Sequence, residues 1–277
     1  MRRTKIKDSM MGPASFSDSE EHIEKAWEAN TPSQEVKYAR KALDADLDCI
    51  DGYILLAHNA ASLGENLALL REATIIGERL WKPYFADKEM VWWGYIGTRP
   101  YMRALHEFGL ACMEAGDVPE AEAAYRKLLK LNPNDNQGIR ELLAHVLLLG
   151  ERYDEAWKLC QRYKRDGLLA TIATRLAIHI ARNDEAKARE TARQLDLANP
   201  HIMRALALFL RENIRPHDSR DSYVAYRSRE EAVGYVAHCW DYWSKPEVSA
   251  AFLALFDGQD NIPKRRPKPK PRGRPAK

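Results

Sequence analysis

Ala104-Leu-His-Glu-Phe-Gly-Leu-Ala-Cys112, then Glu114-Ala-Gly-Asp117, then Glu120-Ala-Glu-Ala-Ala-Tyr-Arg-Lys-Leu-Leu-Lys-Leu-Asn-Pro133 is the stretch that decides the fold. Its apolar residues recur three and four apart, as on one face of an α-helix. Gly116 interrupts that pattern with the residue type that turns left-handed at no steric cost. Pro133 closes it, because proline cannot continue a helix. The stretch therefore reads as two antiparallel helices joined by a tight turn. Small residues at Gly109 and Ala121 let the helices approach, and Tyr125 and Leu128 fill the space between them.

Turn-forming residues repeat outward from this stretch. Gly64, Gly116, Gly150 and Asn183 mark a period, the last three 34 and 33 residues apart. Pro133 and Pro200 each follow an asparagine at a helix end. Self-similarity at such an interval is the mark of a repeat architecture. The unit at 136–169 keeps Leu142, Gly150 and Ala156, with one extra residue between the last two. The next has Asn183 at the turn, Ala188 near the small position and Pro200 at its end. Upstream, 51–80 keeps Tyr53, Leu56, Gly64 and Ala73. Gly64 and Gly116 are 52 residues apart, and the surplus falls on Lys82–Thr98, rich in aromatics (Tyr84, Trp92, Trp93, Tyr95). Two readings stand for this insertion: a loop that packs its aromatics on neighbouring repeats, or a lid or partner-binding loop.

Met102–Asp135 resembles the tetratricopeptide repeat (TPR). The family's anchor positions are held here by Leu105, Phe108-Gly109, Cys112, Gly116, Ala121, Tyr125, Leu128 and Pro133. Cys112 stands where the family has an aromatic, and Leu128 where it has a small residue. Leu131-Asn-Pro-Asn-Asp-Asn-Gln-Gly-Ile-Arg140 also resembles TPR proteins related to the suppression-of-tumorigenicity 7 group, a likeness that names no activity. The resemblance implies an all-α, right-handed helical-repeat solenoid over 19–212, interrupted by the insertion at 82–98. It also implies a peptide groove lined by the first helix of each unit. Carried over position by position, that face holds Arg103, His106, Leu110 and Met113 in one unit. The following unit supplies Gln137, Arg140, Ala144 and Leu147, and the preceding one Asp51, Ile54, His58 and Ala61. His58, Arg103, His106, Met113 and Arg140 are the candidate groove residues. They do not reproduce the Lys/Asn clamp with which some TPR domains hold an acidic chaperone C-terminus. Arg103 and Arg140 would suit a protein or peptide ligand with an acidic group and apolar side chains. The alternative is that these residues only solvate the inner face or lie under the insertion.

Further helices flank the repeats. Ser19–Asn30 and Pro32–Asp46 are parted by Asn-Thr-Pro, with Thr31 or Ser33 as a cap. A C-terminal helical pair spans 229–257, as Arg229–Ser244 and Pro246–Phe256, apolar at helical spacing (Val233, Val236, Trp240, Trp243). The polar segment 213–228 reads as a loop. About thirteen helices and no strand are expected.

The chain of 277 residues has 43 Lys+Arg and 40 Asp+Glu, a net charge of +3. The charge is unevenly placed. Residues 264–277 hold eight Lys/Arg and no acid, and residues 1–7 hold four basic residues and no acid, leaving 31 basic against 40 acidic residues in 8–263. An acidic body thus carries basic ends, of which 1–18 is expected to be disordered. No apolar run approaches the roughly 18–20 residues that span a bilayer, so no membrane association is expected. The basic start lacks the apolar stretch of a secretory signal. The four cysteines (Cys49, Cys112, Cys160, Cys239) have no C-x-x-C pairing, which points to a reduced, cytoplasmic setting, or a nucleoid-associated or nuclear one if the tail binds DNA. No phosphate-binding glycine loop, H-E-x-x-H or G-x-S-x-G occurs, and the eight histidines are dispersed. The expectation is a non-enzymatic chain without metal or cofactor.

Residues 261–277, with five prolines and eight positive charges, cannot form a packed core and read as a disordered basic tail. Pro271-Arg-Gly-Arg-Pro-Ala-Lys277 resembles the AT-hook, whose R-G-R-P core is matched by Arg272, Gly273, Arg274 and Pro275. The resemblance implies binding to A·T-rich DNA. Glycine lets the backbone lie on the groove floor, and the arginines reach along a narrow groove of enhanced negative potential. Lys264, Arg265, Arg266, Lys268 and Lys270 would contact phosphates. Two other readings of the tail stand: a polybasic segment for RNA, acidic partners or nuclear import, and a passive solubilising one. The whole chain then reads as a TPR adaptor tethered to DNA. The rivals are a pure protein-binding scaffold with an incidental tail, or a regulatory subunit of an enzyme.

Overall fold

Three short polar motifs start helices in the same way: Thr31-x-x-Gln34, Ser62-x-x-Glu65 and Ser228-x-x-Glu231. In each the hydroxyl accepts a hydrogen bond from the backbone N–H three residues on (3.3, 3.2 and 3.0 Å). The Gln or Glu reaches back to the N–H of the residue before the cap, at Asn30, Ala61 and Arg227. These reciprocal bonds satisfy donors that a helix start leaves orphaned. Asp117 and Asp184 cap two more helices, accepting from Glu120 N and Lys187 N.

The computed structural model describes residues 18–164, 167–217 and 224–259. Among these it is all-helical, with fourteen α-helices and no strand. They are α1 (Asp18–Trp27), α2 (Pro32–Ala45), α3 (Ile50–His58), α4 (Leu63–Trp81), α5 (Arg99–Glu114), α6 (Val118–Leu131), α7 (Ile139–Leu149) and α8 (Tyr153–Arg162). α9 (Leu169–Ala181), α10 (Glu185–Ala198), α11 (Ile202–Glu212), α12 (Arg229–His238), α13 (Trp240–Trp243) and α14 (Pro246–Gln259) follow. The chain divides into two units, Met1–Val146 and Leu147–Lys277, with the division inside α7.

In the first unit each helix from α1 to α6 packs on the next, and α3 also touches α1 and α5. The core between α5 and α6 holds Leu105, Phe108, Tyr125 and Leu128, as the sequence motif requires. In the second unit α8 to α12 form a similar succession, and α14 lies against α9, α10 and α11. There Trp243, fully buried, meets Phe252 edge-on at 5.5 Å and donates its indole N–H to the Tyr235 hydroxyl at 3.1 Å.

The turns repeat at the level of single hydrogen bonds. At Gly116, Glu151 and Asn183 the backbone is left-handed (φ +78°, +56° and +53°). In each case the residue after it bonds back to a carbonyl five residues earlier: Asp117 to Cys112 at 2.8 Å, Arg152 to Leu147 at 2.9 Å, Asp184 to His179 at 3.0 Å. The turn residues themselves bond to Met113, Leu148 and Ile180. These paired bonds define the Schellman motif, which satisfies the last carbonyls of a helix. Asn213 (φ +51°) ends α11 the same way.

A different closure ends α2, α6 and α10. There Asp46, Asn132 and Asn199 leave the helix with φ of −150°, −123° and −145°, their N–H groups still bonded to the carbonyl four residues back. Asn199 is wholly buried, and its amide donates to Ser228 O and Glu231 Oε2, both at 2.8 Å, while its oxygen accepts from His201 N at 2.9 Å. Burying an amide without such partners would be costly.

Three expectations change. Gly64 is not a turn residue but sits in the first turn of α4. The left-handed position expected at Gly150 belongs to Glu151. The apolar run from Arg229 to Ser244 breaks at Cys239 into α12 and α13. Of the two caps the sequence allowed for α2, the structure uses Thr31.

The insertion at 82–98 forms three single 3-10 turns, Lys82–Tyr84, Trp92–Gly94 and Ile96–Thr98. Trp92 is buried, with ring contacts to Trp81 (5.8 Å), Phe85 (5.4 Å) and Tyr101 (6.4 Å). Thr98, also buried, hydrogen-bonds the carbonyls of Trp92 and Tyr95. Val91 and Ile96 remain exposed. The aromatic content thus anchors an irregular segment that has no helix of its own to bury.

Candidate functional site

On α5 the spacing of three and four puts Arg103, His106, Leu110 and Met113 on one face. All four are half-buried. α3 supplies Asp51 and Ile54, both buried, and the exposed His58 at its end. Arg140 lies in the first turn of α7.

The cations on this face are already engaged. Arg103 grips Asp51 with two parallel hydrogen bonds, Nε to Oδ1 at 3.0 Å and Nη2 to Oδ2 at 2.5 Å. Its guanidinium also stands over the Trp27 ring at 5.6 Å. One side chain therefore ties together α1, α3 and α5. Bidentate pairing of this kind is geometrically selective. Arg140 Nη1 lies 3.4 Å from Asp135 Oδ2, and both side chains are largely withdrawn from solvent. Asp135 itself accepts from Ile139 N (2.7 Å) and Arg140 N (2.9 Å), so its carboxylate caps α7. It does so from a left-handed backbone, φ +54°. Gln137 donates to the Met102 carbonyl at 3.2 Å.

His58 Nε2 and Glu107 Oε2 are 4.0 Å apart. Burial holds the His106 imidazole below its ordinary pKa, against the pull of Glu107 and Asp135. The face therefore carries two opposed charge pairs, Asp51 with Arg103 and Asp135 with Arg140, and sets the His58 imidazole beside Glu107. The apolar part is Trp27, Leu110 and Met113, of which Trp27 is 58% exposed. An acidic ligand group would have to share Arg103 or Arg140 with carboxylates already in place.

Sequence reasoning placed His58, Arg103, His106, Met113 and Arg140 on these helices but missed Trp27, Glu107 and Asp135. Trp27 lies outside the repeat that defined the face, and no repeat position points to it. Glu107 is not a position of the groove face in the repeat, and only the packing of α3 on α5 brings it near His58. Asp135 carried a signal in Asn-Pro-Asn-Asp, a turn-forming run just before a helix. The tail residues Lys264, Arg265, Arg266, Lys268, Lys270, Arg272, Gly273, Arg274 and Pro275 lie outside the described residues.

Among the described residues no three His, Cys, Asp or Glu side chains gather as a metal site requires, and no helix is long and apolar enough to cross a membrane. Burial raises the Cys49 and Cys112 thiols to about 11, which keeps them protonated and poorly nucleophilic. No family model matches the chain, and no curated protein matches it in sequence.

Proposed function

We propose that this chain is a non-enzymatic helical-repeat adaptor of the TPR kind, with a protein segment held on the α3–α5–α7 face and a basic tail that contacts A·T-rich DNA. The observation that carries the repeat reading is the recurrence of one turn. Gly116, Glu151 and Asn183 share the same left-handed backbone and the same pair of hydrogen bonds, 35 and 32 residues apart. The helix ends at Asn132 and Asn199 recur in the same way. Adjacent apolar and paired-charge surface on α3 and α5 supports a protein ligand, whose anchors would meet Trp27 and Met113 while its polar groups meet the paired charges.

The DNA reading is supported by sequence alone, through Arg272-Gly-Arg-Pro275 and the eight positive charges of 264–277. The body, net acidic over 8–263, would repel DNA, which leaves contact to the basic ends. The test compares the full chain with one ending at Ile262, on an A·T-rich and a G·C-rich duplex over a range of salt. The full chain should prefer the A·T duplex, with a log–log salt slope of roughly −4 to −7. Equal binding by the two chains would remove the DNA half of the proposal. The protein half is tested separately: a partner held by the full chain should be lost on His58→Glu with Met113→Glu and kept when the tail is removed.

A further inference from the structure

Cations on the helices of the first unit commonly meet a carboxylate. Arg71 is paired with Glu120, Arg79 with Asp48, Arg103 with Asp51 and Lys127 with Glu78. Lys37, Arg40 and Lys41 stand together on α2 without one: among the described residues none of the three has an ion-pair partner. Their spacing of three and four puts them on one side of the helix. All three are exposed.

The fold gives no reason for this grouping. Like charges three and four apart repel and weaken a helix. α2 is held from its other side, by the buried Ala39 and Ala42 and by Tyr38, which packs on the same core. The Lys37 and Lys41 ammonium groups stand 5.9 and 5.8 Å from the Tyr38 ring, so that ring steadies both stems. Nearby acids do not cancel the charge. Asp44 shares the outer side of α2, one carboxylate against three cations. Glu21 of the packed α1 is taken by Lys25. Glu20 and Glu24 fall on the side of α1 that carries Trp27, which faces Arg103. The sequence before α1, residues 1–17, holds four basic residues and one acid, so it adds more cations than acids wherever it lies.

The side chains favour a phosphate backbone over a protein. No large apolar residue of α2 is exposed to anchor a protein partner. Lysine is depleted at protein interfaces, whereas Lys and Arg are the usual contacts to phosphate oxygens. Lys37 and Lys41 are about 6 Å apart along the helix axis. That span suits neighbouring phosphates of one strand, whose charges advance about 3.4 Å each along a duplex. At physiological salt, charges beyond about 8 Å are largely screened. A duplex would therefore meet this local patch rather than the net acidity of the body.

We propose that the outer face of α2, through Lys37, Arg40 and Lys41, is a second DNA contact that holds the phosphate backbone without reading its sequence. It rests on the proposed DNA reading of the tail for its choice of polyanion, and on nothing else in that reading.

The test measures binding of the full chain to an A·T-rich and a G·C-rich duplex over a range of salt. Lys37→Gln with Arg40→Gln and Lys41→Gln should weaken both duplexes alike, at least ten-fold near about 0.1 M salt, and make the log–log slope shallower by about 3. Glutamine is about as good a helix former as lysine, so far-UV circular dichroism should be unchanged. If the triple variant fails to fold, Lys41→Gln alone decides, with a slope shallower by about 1. A control removes the same charge elsewhere, from the paired cations Arg182, Lys187 and Arg193. It should lose much less. Arg272→Ala with Arg274→Ala separates the two readings. It should abolish the preference for A·T and leave weak, sequence-indifferent binding that the α2 substitutions then remove. Should the hook substitutions change nothing, the tail reading fails and the α2 contact stands. Unchanged affinity and slope in the α2 variant overturn the proposal. So do an equal loss in the control, no residual binding in the hook variant, or tighter binding of poly-glutamate than of either duplex.

Discussion

The Tyr125 ring fills the space that a side chain on Gly109 would need. A Cβ at Gly109 would lie 2.4 Å from Tyr125 Cε1 and 3.0 Å from Cδ1 and Cζ. Tyr125 is wholly buried, so its ring has no solvent to retreat into. Gly109→Ala should therefore destabilise the chain by about 1–3 kcal/mol through overpacking, although alanine is the better helix former by about 1 kcal/mol. Gly64→Ala should have the opposite sign. The nearest atom to its Cβ, Ser62 Oγ, is 4.0 Å away, and the residue lies inside α4. Urea unfolding of the two variants side by side measures both effects. A stabilising Gly109→Ala would mean that α5 and α6 are not packed through this contact.

The left-handed turns make a second pair of expectations. Glu151 adopts φ +56° with a Cβ, where glycine would be unstrained. Glu151→Gly should stabilise by about 1 kcal/mol, less whatever is lost with the Lys245 contact at 3.5 Å. Gly116→Ala, at φ +78°, should cost about the same amount although open space surrounds the new methyl group. Thermal unfolding of the two variants reads both shifts, and a neutral Gly116→Ala would show that this turn relaxes freely.

The helical-hairpin unit at 102–133 was legible because its evidence is local. Gly109, Tyr125, Gly116 and Pro133 each act within one pair of helices, and their spacing is visible along the chain. The shift from Gly150 to Glu151 was not. One extra residue in the turn moves the left-handed position onto a glutamate, and composition points to the glycine beside it. The break at Cys239 was hidden for a related reason: Val233, Val236, Trp240 and Trp243 keep helical spacing on either side of it. Pairings such as Asp51 with Arg103, 52 residues apart, depend on how α3 lies against α5, and no single stretch of sequence encodes that. Asp135 escaped because its turn signal does not say that its carboxylate will be buried and turned onto the start of α7.

The Asp51–Arg103 pair should show a coupling free energy in a double-mutant cycle with Asp51→Asn and Arg103→Gln. Arg103 keeps 39% of its side-chain surface in solvent, so screening limits the coupling to about 1 kcal/mol. Asp51→Asn has a second consequence. It releases the Arg103 guanidinium on the face proposed to bind protein, so a partner carrying an acidic anchor there should bind the variant more tightly. Weaker or unchanged binding would place that anchor elsewhere.

His106 gives the face a pH dependence whose sign follows from burial. In the unfolded chain its imidazole takes up a proton near pH 6.5. In the folded chain burial holds the pKa lower, with Glu107 and Asp135 opposing only part of the shift. Between those two values the unfolded chain binds the additional proton. The contribution is therefore fully favourable to folding above about pH 6.5 and is lost as the pH falls through the window below it. His179, also lowered by burial, acts in the same direction. His106→Gln should flatten the fall in stability between about pH 7 and 5 by part of its slope, and adding His179→Gln should flatten it further. Denaturant midpoints across that range measure the change. A slope unaltered by either substitution would mean that the two imidazoles protonate as freely in the fold as outside it.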